Sequence, residues 1–342
     1  MNFIHLRFHG ETTSPWYVGK KKYGDYLYTR TDYLWGRGVR GPVLRQLWRT
    51  YCFKSDLMEK VDFVPERDCT KCSNAEKCPF NNLRGTGNGD FKDKPRLIVA
   101  NLFFKGDIRT EIVPLATLND QHKHVVKGKA PVYVEYIPSG VRFEFEIILM
   151  GNGVRFVGDV EKAVRVSLSF FGWGGLCNEG FGRGVINNVE KRSFKQFEEK
   201  FILPIAEKLM NVKEASFNIV PLLLLEKSNG NIYTNIFEDG FEEKLTHSIN
   251  ERYWQFYDEN IYVPIRRVSG KARTIKITGW SRTGKNATFT GIGNELKLHF
   301  ERKLNLEEAK AIAITRYGIG KYKNQGFGSL RLKPNTCIFK SR

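Results

Sequence analysis

Cys69, Cys72 and Cys78 follow the spacing Cys-x-x-Cys-x5-Cys, and Cys52 lies 17 residues upstream. Four thiolates drawn from a loop and a helix end suit a tetrahedral structural zinc site. An iron–sulfur cluster takes the same ligand type, and an oxidised pair or free thiols are the simpler alternatives. The spacing favours a metal, with zinc first, and leaves the others open. Cys177 and Cys337 stand apart and read as packed side chains.

Two glycine-rich stretches repeat one pattern. Residues 172–182 read "GWGGLCNEGFG" and residues 318–328 read "GIGKYKNQGFG". Each is Gly-x-Gly, five residues, then Gly-Phe-Gly, and Asn178 and Asn324 fall at the same place. A separation this long implies a duplicated domain rather than a solenoid unit. Glycine admits positive φ and close backbone approach. Successive exposed N–H groups can gather phosphates. The copies differ in chemistry: the second holds Lys321, Tyr322 and Lys323, and the first holds Leu176, Cys177 and Glu179.

Acid–base chemistry is harder to place. Six histidines occur: His5 and His299 fall in strand patterns, and His122 and His124 in a polar loop. None lies beside the end of the early helix, where Tyr51, Cys52, Phe53 and Lys54 stand.

The elements that would carry these residues form two similar series. "GPVLRQLWRTYC" reads as a helix with Pro42 in its first turn and one apolar face. "VEKAVRVSLSFFG" reads as a helix before the first glycine stretch, and "GVINNVEK" as a strand after it. "NLEEAKAIAITRYG" precedes the second stretch, with Asn305 as N-cap, and "SLRLKP" follows as a strand. "FKQFEEKFILPIAEKLM" links the halves, with Pro204 able to kink it. These series predict an α+β protein of two tandem ferredoxin-like (RRM-like) domains. Residues 1–192 form the first, with a cysteine-rich insertion at 52–80; 193–213 form a linking helix; 214–342 form the second, basic domain.

The chain has 342 residues, 41% hydrophobic, and a formal net charge of +18. From Pro264 to Arg342 there are 18 Lys or Arg against four Asp or Glu. A concentrated positive segment points to a polyanionic partner, most often nucleic acid. No long apolar run predicts a membrane span, and the N-terminus lacks the apolar core of a signal peptide, so a cytoplasmic protein is expected.

The late run "RYGIGKYKNQGFGSLRL", the helix "RGVRGPVLRQLWRTYC", the following "CTKCSNAEKCPF" and the closing "GFGRG" together resemble the CRISPR-associated RAMP superfamily. Within it they most resemble the CRISPR repeat-processing endoribonucleases. The resemblance implies tandem ferredoxin-like domains and binding of CRISPR repeat RNA. It also implies cleavage by the RNA 2′-hydroxyl without a metal. The second loop is then expected to touch RNA through Gly318, Gly320, Lys321, Tyr322, Lys323, Gly326, Gly328 and the nearby Arg331. The first loop is expected to be a packing element. "GWSRTGKNATFTGIGNE" resembles the family's basic hairpin, so Arg282 and Lys285, with the upstream Arg266, Arg267, Lys271 and Arg273, are expected to face phosphates. The family often carries a histidine near the first helix. Its absence leaves Tyr51 and Lys54 as the catalytic candidates. The alternative is a non-catalytic RAMP subunit binding guide RNA beside other effector subunits; a general RNA chaperone is a third reading.

Overall fold

The computed structural model describes residues 2–52, 69, 72–85, 94–116, 131–280 and 286–333. The chain divides into two units. One holds Met1–Asn88 and Asn101–Lys191, and the other holds Gly89–Ala100 and Arg192–Arg342.

In the first unit, β1 (Phe3–Thr12) is followed by β2 (Gly19–Tyr23), β3 (Tyr26–Thr29), β4 (Tyr33–Leu34) and α1 (Gly36–Tyr51). Then come α2 (Pro79–Leu83), β6 (Leu102–Phe104), β7 (Glu111–Leu115), β8 (Val132–Tyr136), β9 (Arg142–Met150), α3 (Val157–Val166) and β10 (Gly184–Arg192), with β5 (Leu97–Val99) between α2 and β6 in sequence. Its main sheet runs β10-β1-β9-β6-β4. With α1 after β1 and α3 after β9, that is the ferredoxin-like order with β4 added at one edge. β1 alternates, with Leu6 and Phe8 fully buried, and pairs antiparallel with β9 in a register that sets Phe8 opposite Phe145. A smaller sheet, β2-β3-β8-β7, completes the unit.

The second unit contains α4 (Phe194–Phe197), α5 (Leu203–Met210), β11 (Glu214–Leu223), α6 (Phe241–Tyr257), β12 (Ile265–Ser269), β13 (Arg273–Trp280), β14 (Asn286–Phe300), α7 (Leu306–Ala313) and β15 (Ser329–Leu332). Its sheet runs β12-β14-β11-β15, with β13 also pairing β14. This is the same order read from the other edge, so both halves are ferredoxin-like. Asn305 caps α7 as expected: its side chain accepts from the Glu308 N–H at 2.9 Å, and Glu308 accepts from the Asn305 N–H at 2.8 Å.

Three details differ from expectation. α1 begins at Gly36 and contains Pro42 in its interior. The Asn101 side chain caps its start by accepting from the Gly36 N–H at 2.8 Å, which lets the helix run earlier than its apolar pattern suggests. The 193–213 segment clusters with the second unit rather than standing as a linker. It contains a π-helical segment at Glu198–Ile202 just ahead of Pro204, whose ring nitrogen has no hydrogen to give the ladder. The 94–100 stretch also clusters with the second unit although it lies within the first half of the sequence.

Candidate nucleic-acid interface

The two glycine stretches have the same backbone. Gly172, Gly174, Gly180 and Gly182 have φ of 75, 96, 83 and 83°, and Gly318, Gly320, Gly326 and Gly328 have 92, 74, 86 and 65°. Between them Leu176 and Tyr322 are left-handed at 59 and 58°. Each loop then makes one turn of 3-10 helix, Cys177–Glu179 or Lys323–Gln325. In the first loop the Trp173 N–H donates to the Gly182 carbonyl, the Gly175 N–H to Tyr17 and the Gly182 N–H to Pro15. In the second the Ile319 N–H donates to Gly328, the Lys321 N–H to Leu224 and the Gly328 N–H to Leu222. Each loop thus laces the last strand of its unit to the chain leaving the first strand. A Cβ on Gly182 or Gly328 would lie 2.2 or 2.1 Å from a backbone oxygen, so glycine is required there for space as well as conformation.

These bonds also bear on the second loop, which was expected to touch RNA through its glycines and lysines. The N–H groups of Gly318, Lys321, Gly326 and Gly328 all bond to backbone carbonyls inside the unit. Lys323, expected to reach phosphate, is buried and ion-paired with Glu251. Burial, with the nearby Arg252 charge, pulls its pKa down to about 8. Lys321 is half-exposed and pairs with Glu226 at 2.7 Å. Tyr322 stays partly exposed, packed against Phe289 and the buried Phe327. Arg331 lies on β15 and is half-buried.

The residue that organises the second loop was not singled out from the sequence. Arg252, on α6, is fully buried. Its Nε donates to the Gly318 carbonyl at 2.5 Å, Nη2 to Tyr317 at 2.9 Å, and Nη1 to the Asn324 and Gln255 side chains at 3.1 and 3.0 Å. Desolvation lowers its pKa to about 9. The available signal was an arginine on the same helical stripe as Leu245, Ile249 and Phe256, all buried.

Open cations lie instead on β12, β13 and the turn between them. Arg266, Arg267, Lys271 and Arg273 are exposed, and among the described residues none forms an ion pair. Arg266 and Arg267 both act on His299, whose imidazole is pushed down, chiefly by burial. Arg282 and Lys285 lie outside the described residues.

At the end of α1, the Tyr51 hydroxyl donates to Asp159 on α3. That bond, with burial and the carboxylate charge, raises the phenol's pKa. A phenol held this way is harder to deprotonate. Lys54 lies outside the described residues, as do His122 and His124. His5, His9 and His299 are engaged with Glu146, Glu190 and Glu214.

Cys52 ends α1, and Cys78 precedes α2. Burial pushes the Cys69 thiol up to about 11, with Cys78, Cys52 and Cys72 adding to the rise and Arg84 opposing it. Cys78 is also raised by burial, while its sulfur accepts N–H groups of Asn81 and Phe80 that favour a thiolate. Cys69 and Cys78 thus lie within electrostatic reach of the other thiols, and sulfur donors suit a soft cation. Among the described residues, however, no three His, Cys, Asp or Glu side chains are arranged to hold a metal ion. The Cys177 thiol contacts the Gly174 carbonyl at 3.6 Å, and Cys337 lies outside the described residues.

A family model described as the RAMP superfamily matches residues 10–186, from within β1 through the first glycine loop into β10. The chain belongs to the RAMP superfamily. Among solved structures, Cas6 of Thermus thermophilus aligns with 97% of this chain and all of its own, at 11% identity and a TM-score of 0.42. A second Cas6, solved as a product complex, gives the same coverage at 10% identity and 0.42. A chain of the Type III-B Cmr-beta complex bound to cognate target RNA matches 55% of this chain and 60% of its own, at 12% identity and 0.37. No curated protein matches the sequence. As in the sequence reading, the RAMP chain carries its glycine loop twice. The matched region contains the first copy, and the loop that Arg252 holds is the second. Among the described residues no helix is long and apolar enough to cross a membrane.

Proposed function

We propose that this RAMP protein is a cytoplasmic endoribonuclease that binds CRISPR repeat RNA in a precursor transcript and cuts it to give guide RNAs. The observation that carries the reading is the exposed set Arg266, Arg267, Lys271 and Arg273, on β12, β13 and the turn between them, with no ion pair among the described residues of a RAMP chain. Arginine forks grip phosphates in pairs of hydrogen bonds, and their affinity falls with salt. The chain is similar in fold to Cas6 proteins, which fits the same reading without deciding it.

Cleavage by this reading is attack of an RNA 2′-hydroxyl on the adjacent phosphorus. The 2′-hydroxyl proton leaves, the P–O5′ bond breaks, and the departing 5′-oxygen takes up a proton. The products are a 2′,3′-cyclic phosphate and a 5′-hydroxyl. Tyr51, positioned by its hydrogen bond to Asp159, would give the leaving oxygen its proton. Lys54 would stabilise phosphorane charge. No metal takes part in this step. Zinc is proposed only as a structural ligand that would draw Cys52, Cys69, Cys72 and Cys78 together and pin the 52–80 insertion; an iron–sulfur cluster would use the same thiolates.

A second reading has its own support. His5, His9 and His299 all face carboxylates, so none of these three is set up as an open general base. That favours a RAMP subunit that holds guide RNA, with other effector subunits, without cutting it. The deciding experiment incubates labelled repeat RNA with the protein in EDTA. Products with a cyclic phosphate and a 5′-hydroxyl support the nuclease. Tight binding with intact RNA leaves the non-catalytic subunit.

A further inference from the structure

The sheet β2-β3-β8-β7 of the first unit carries a surface that the function above does not use. β2 reads "GKKKY", and all five residues are exposed. Lys20 and Lys22 have no hydrogen bond or ion pair among the described residues, and Lys21 sits over the Tyr28 ring at 4.8 Å. The strand pairs β3 in a register that sets Lys21 opposite Tyr28 and Tyr23 opposite Tyr26. β3 in turn sets Tyr26 beside Tyr133 of β8. Directly opposed residues share a face of a sheet, as do residues two apart. Lys21, Tyr23, Tyr26, Tyr28 and Tyr133 therefore lie on one face.

The rings on that face are ordered against one another. Tyr26 stacks on Tyr133 at 4.8 Å with planes 14° apart, and Tyr28 lies 6.4 Å from Tyr26. Tyr23 is 77% exposed and Tyr26 42%. Their hydroxyls make no hydrogen bond among the described residues. Lysines on an edge strand have an ordinary use, since they discourage pairing with another sheet. That use does not call for four tyrosines on one face, with the outermost two open to solvent. Aromatic rings beside cations that have no carboxylate partner are what single-stranded nucleic acid needs: stacking for bases and charge for the backbone.

We propose that this tyrosine–lysine face is a stacking platform for single-stranded RNA, and that it takes the stretch of transcript flanking the repeat. The assignment to a flank rests on the repeat-binding reading above; the stacking chemistry does not. Lys21, on the same face, neutralises phosphate, Lys20 and Lys22 on the other face of this exposed edge strand add positive charge nearby, and Tyr23, Tyr26 and Tyr28 receive successive bases.

The test measures dissociation constants for repeat RNA alone and for repeat RNA extended by ten uridines. The wild type should bind the extended RNA about 10- to 100-fold more tightly. Tyr26→Ala with Tyr28→Ala should remove that gain and leave binding of the bare repeat unchanged, which also reports that the fold is intact. Tyr26→Phe with Tyr28→Phe should keep the gain, because a phenyl ring still stacks. A gain that is absent, or that survives the alanine pair, overturns the platform while repeat binding stands. If the wild type binds no repeat, the functional reading fails, and free oligouridine decides the platform alone: binding lost in the alanine pair supports it, and no binding ends it. Self-association of the wild type that the alanine pair abolishes, without any uridine effect, would put a second copy of the chain on this face and overturn the RNA assignment.

Discussion

The Arg252 guanidinium donates to the carbonyl of Gly318, the first glycine of the second loop, from a site with no solvent exposure. One buried cation on α6 thereby sets where that loop starts, and its other nitrogens hold Tyr317, Gln255 and Asn324. Removing it would strand several buried acceptors at once. Arg252→Ala should lower unfolding free energy by about 3–5 kcal/mol, as loss of a buried charged donor to several acceptors does. Chemical denaturation measures this. A loss below about 1 kcal/mol would show that the loop is held by its glycines alone.

Lys323 makes stability depend on pH in the alkaline range. Its folded pKa, about 8, lies below the ordinary lysine value, so between those values the unfolded chain binds more protons. The cost of holding Lys323 charged is complete below pH 8 and is relieved as pH rises toward 10. Wild-type stability should therefore climb relative to Lys323→Met by about 2 kcal/mol over that interval. Parallel pH profiles for the two proteins would contradict the assignment.

RNA affinity should follow the open arginines rather than the loop lysines. Arg266→Ala with Arg267→Ala should weaken repeat binding about 10- to 100-fold and make its salt dependence shallower by roughly two phosphates. Lys321→Ala should cost less, because Lys321 already pairs with Glu226. Titrations at several salt concentrations compare them, and equal losses would return the second loop to the interface.

Replacing the attacking 2′-hydroxyl by hydrogen should abolish cleavage and spare binding, since only the nucleophile is lost. Tyr51→Phe should slow cleavage about 10- to 100-fold, a loss of roughly 1.4–2.7 kcal/mol at the transition state. Asp159→Asn should weaken the hold on the phenol and shift the alkaline limb of the pH–rate profile downward. An unchanged profile would detach Tyr51 from the chemistry.

Protein purified without chelator should carry about one zinc per chain, and Cys72→Ser should release it and lower the melting temperature. Elemental analysis reads the first and calorimetry the second. Metal-free protein whose stability ignores Cys72→Ser would leave the four thiols as packed or free cysteines.

What could be read from the sequence was governed by backbone need. Gly172 and Gly318, Gly174 and Gly320, Gly182 and Gly328 occupy positive φ in close quarters, so few other residues fit and the repeat stays visible across the chain. The ferredoxin-like order followed from helices placed between strands. The role of Lys323 could not be read that way, because its partner Glu251 is distant in sequence and a loop lysine next to glycines looks the same whether buried or free. The tyrosine–lysine sheet was hidden for another reason. Charge summed over the last quarter of the chain outweighed a hairpin with three lysines and one aspartate, and only the strand register shows that its tyrosines share a face.

Each glycine loop laces the end of its unit to the chain just after the first strand, and the 94–100 stretch clusters with a unit whose other residues begin at Arg192. On the ribosome this imposes an order. The first half can close only when residues near Gly182 have emerged, and even then it carries one stretch, 94–100, that clusters with residues still to be made. At about 5–20 residues per second, that segment waits on the order of ten seconds or more for the second half. Leu97, Ile98 and Val99, all buried in the finished protein, spend that interval without their final packing. The nascent chain is therefore most exposed to chaperones and to misassembly between the completion of its two halves, and a truncation after residue 192 would keep it there permanently.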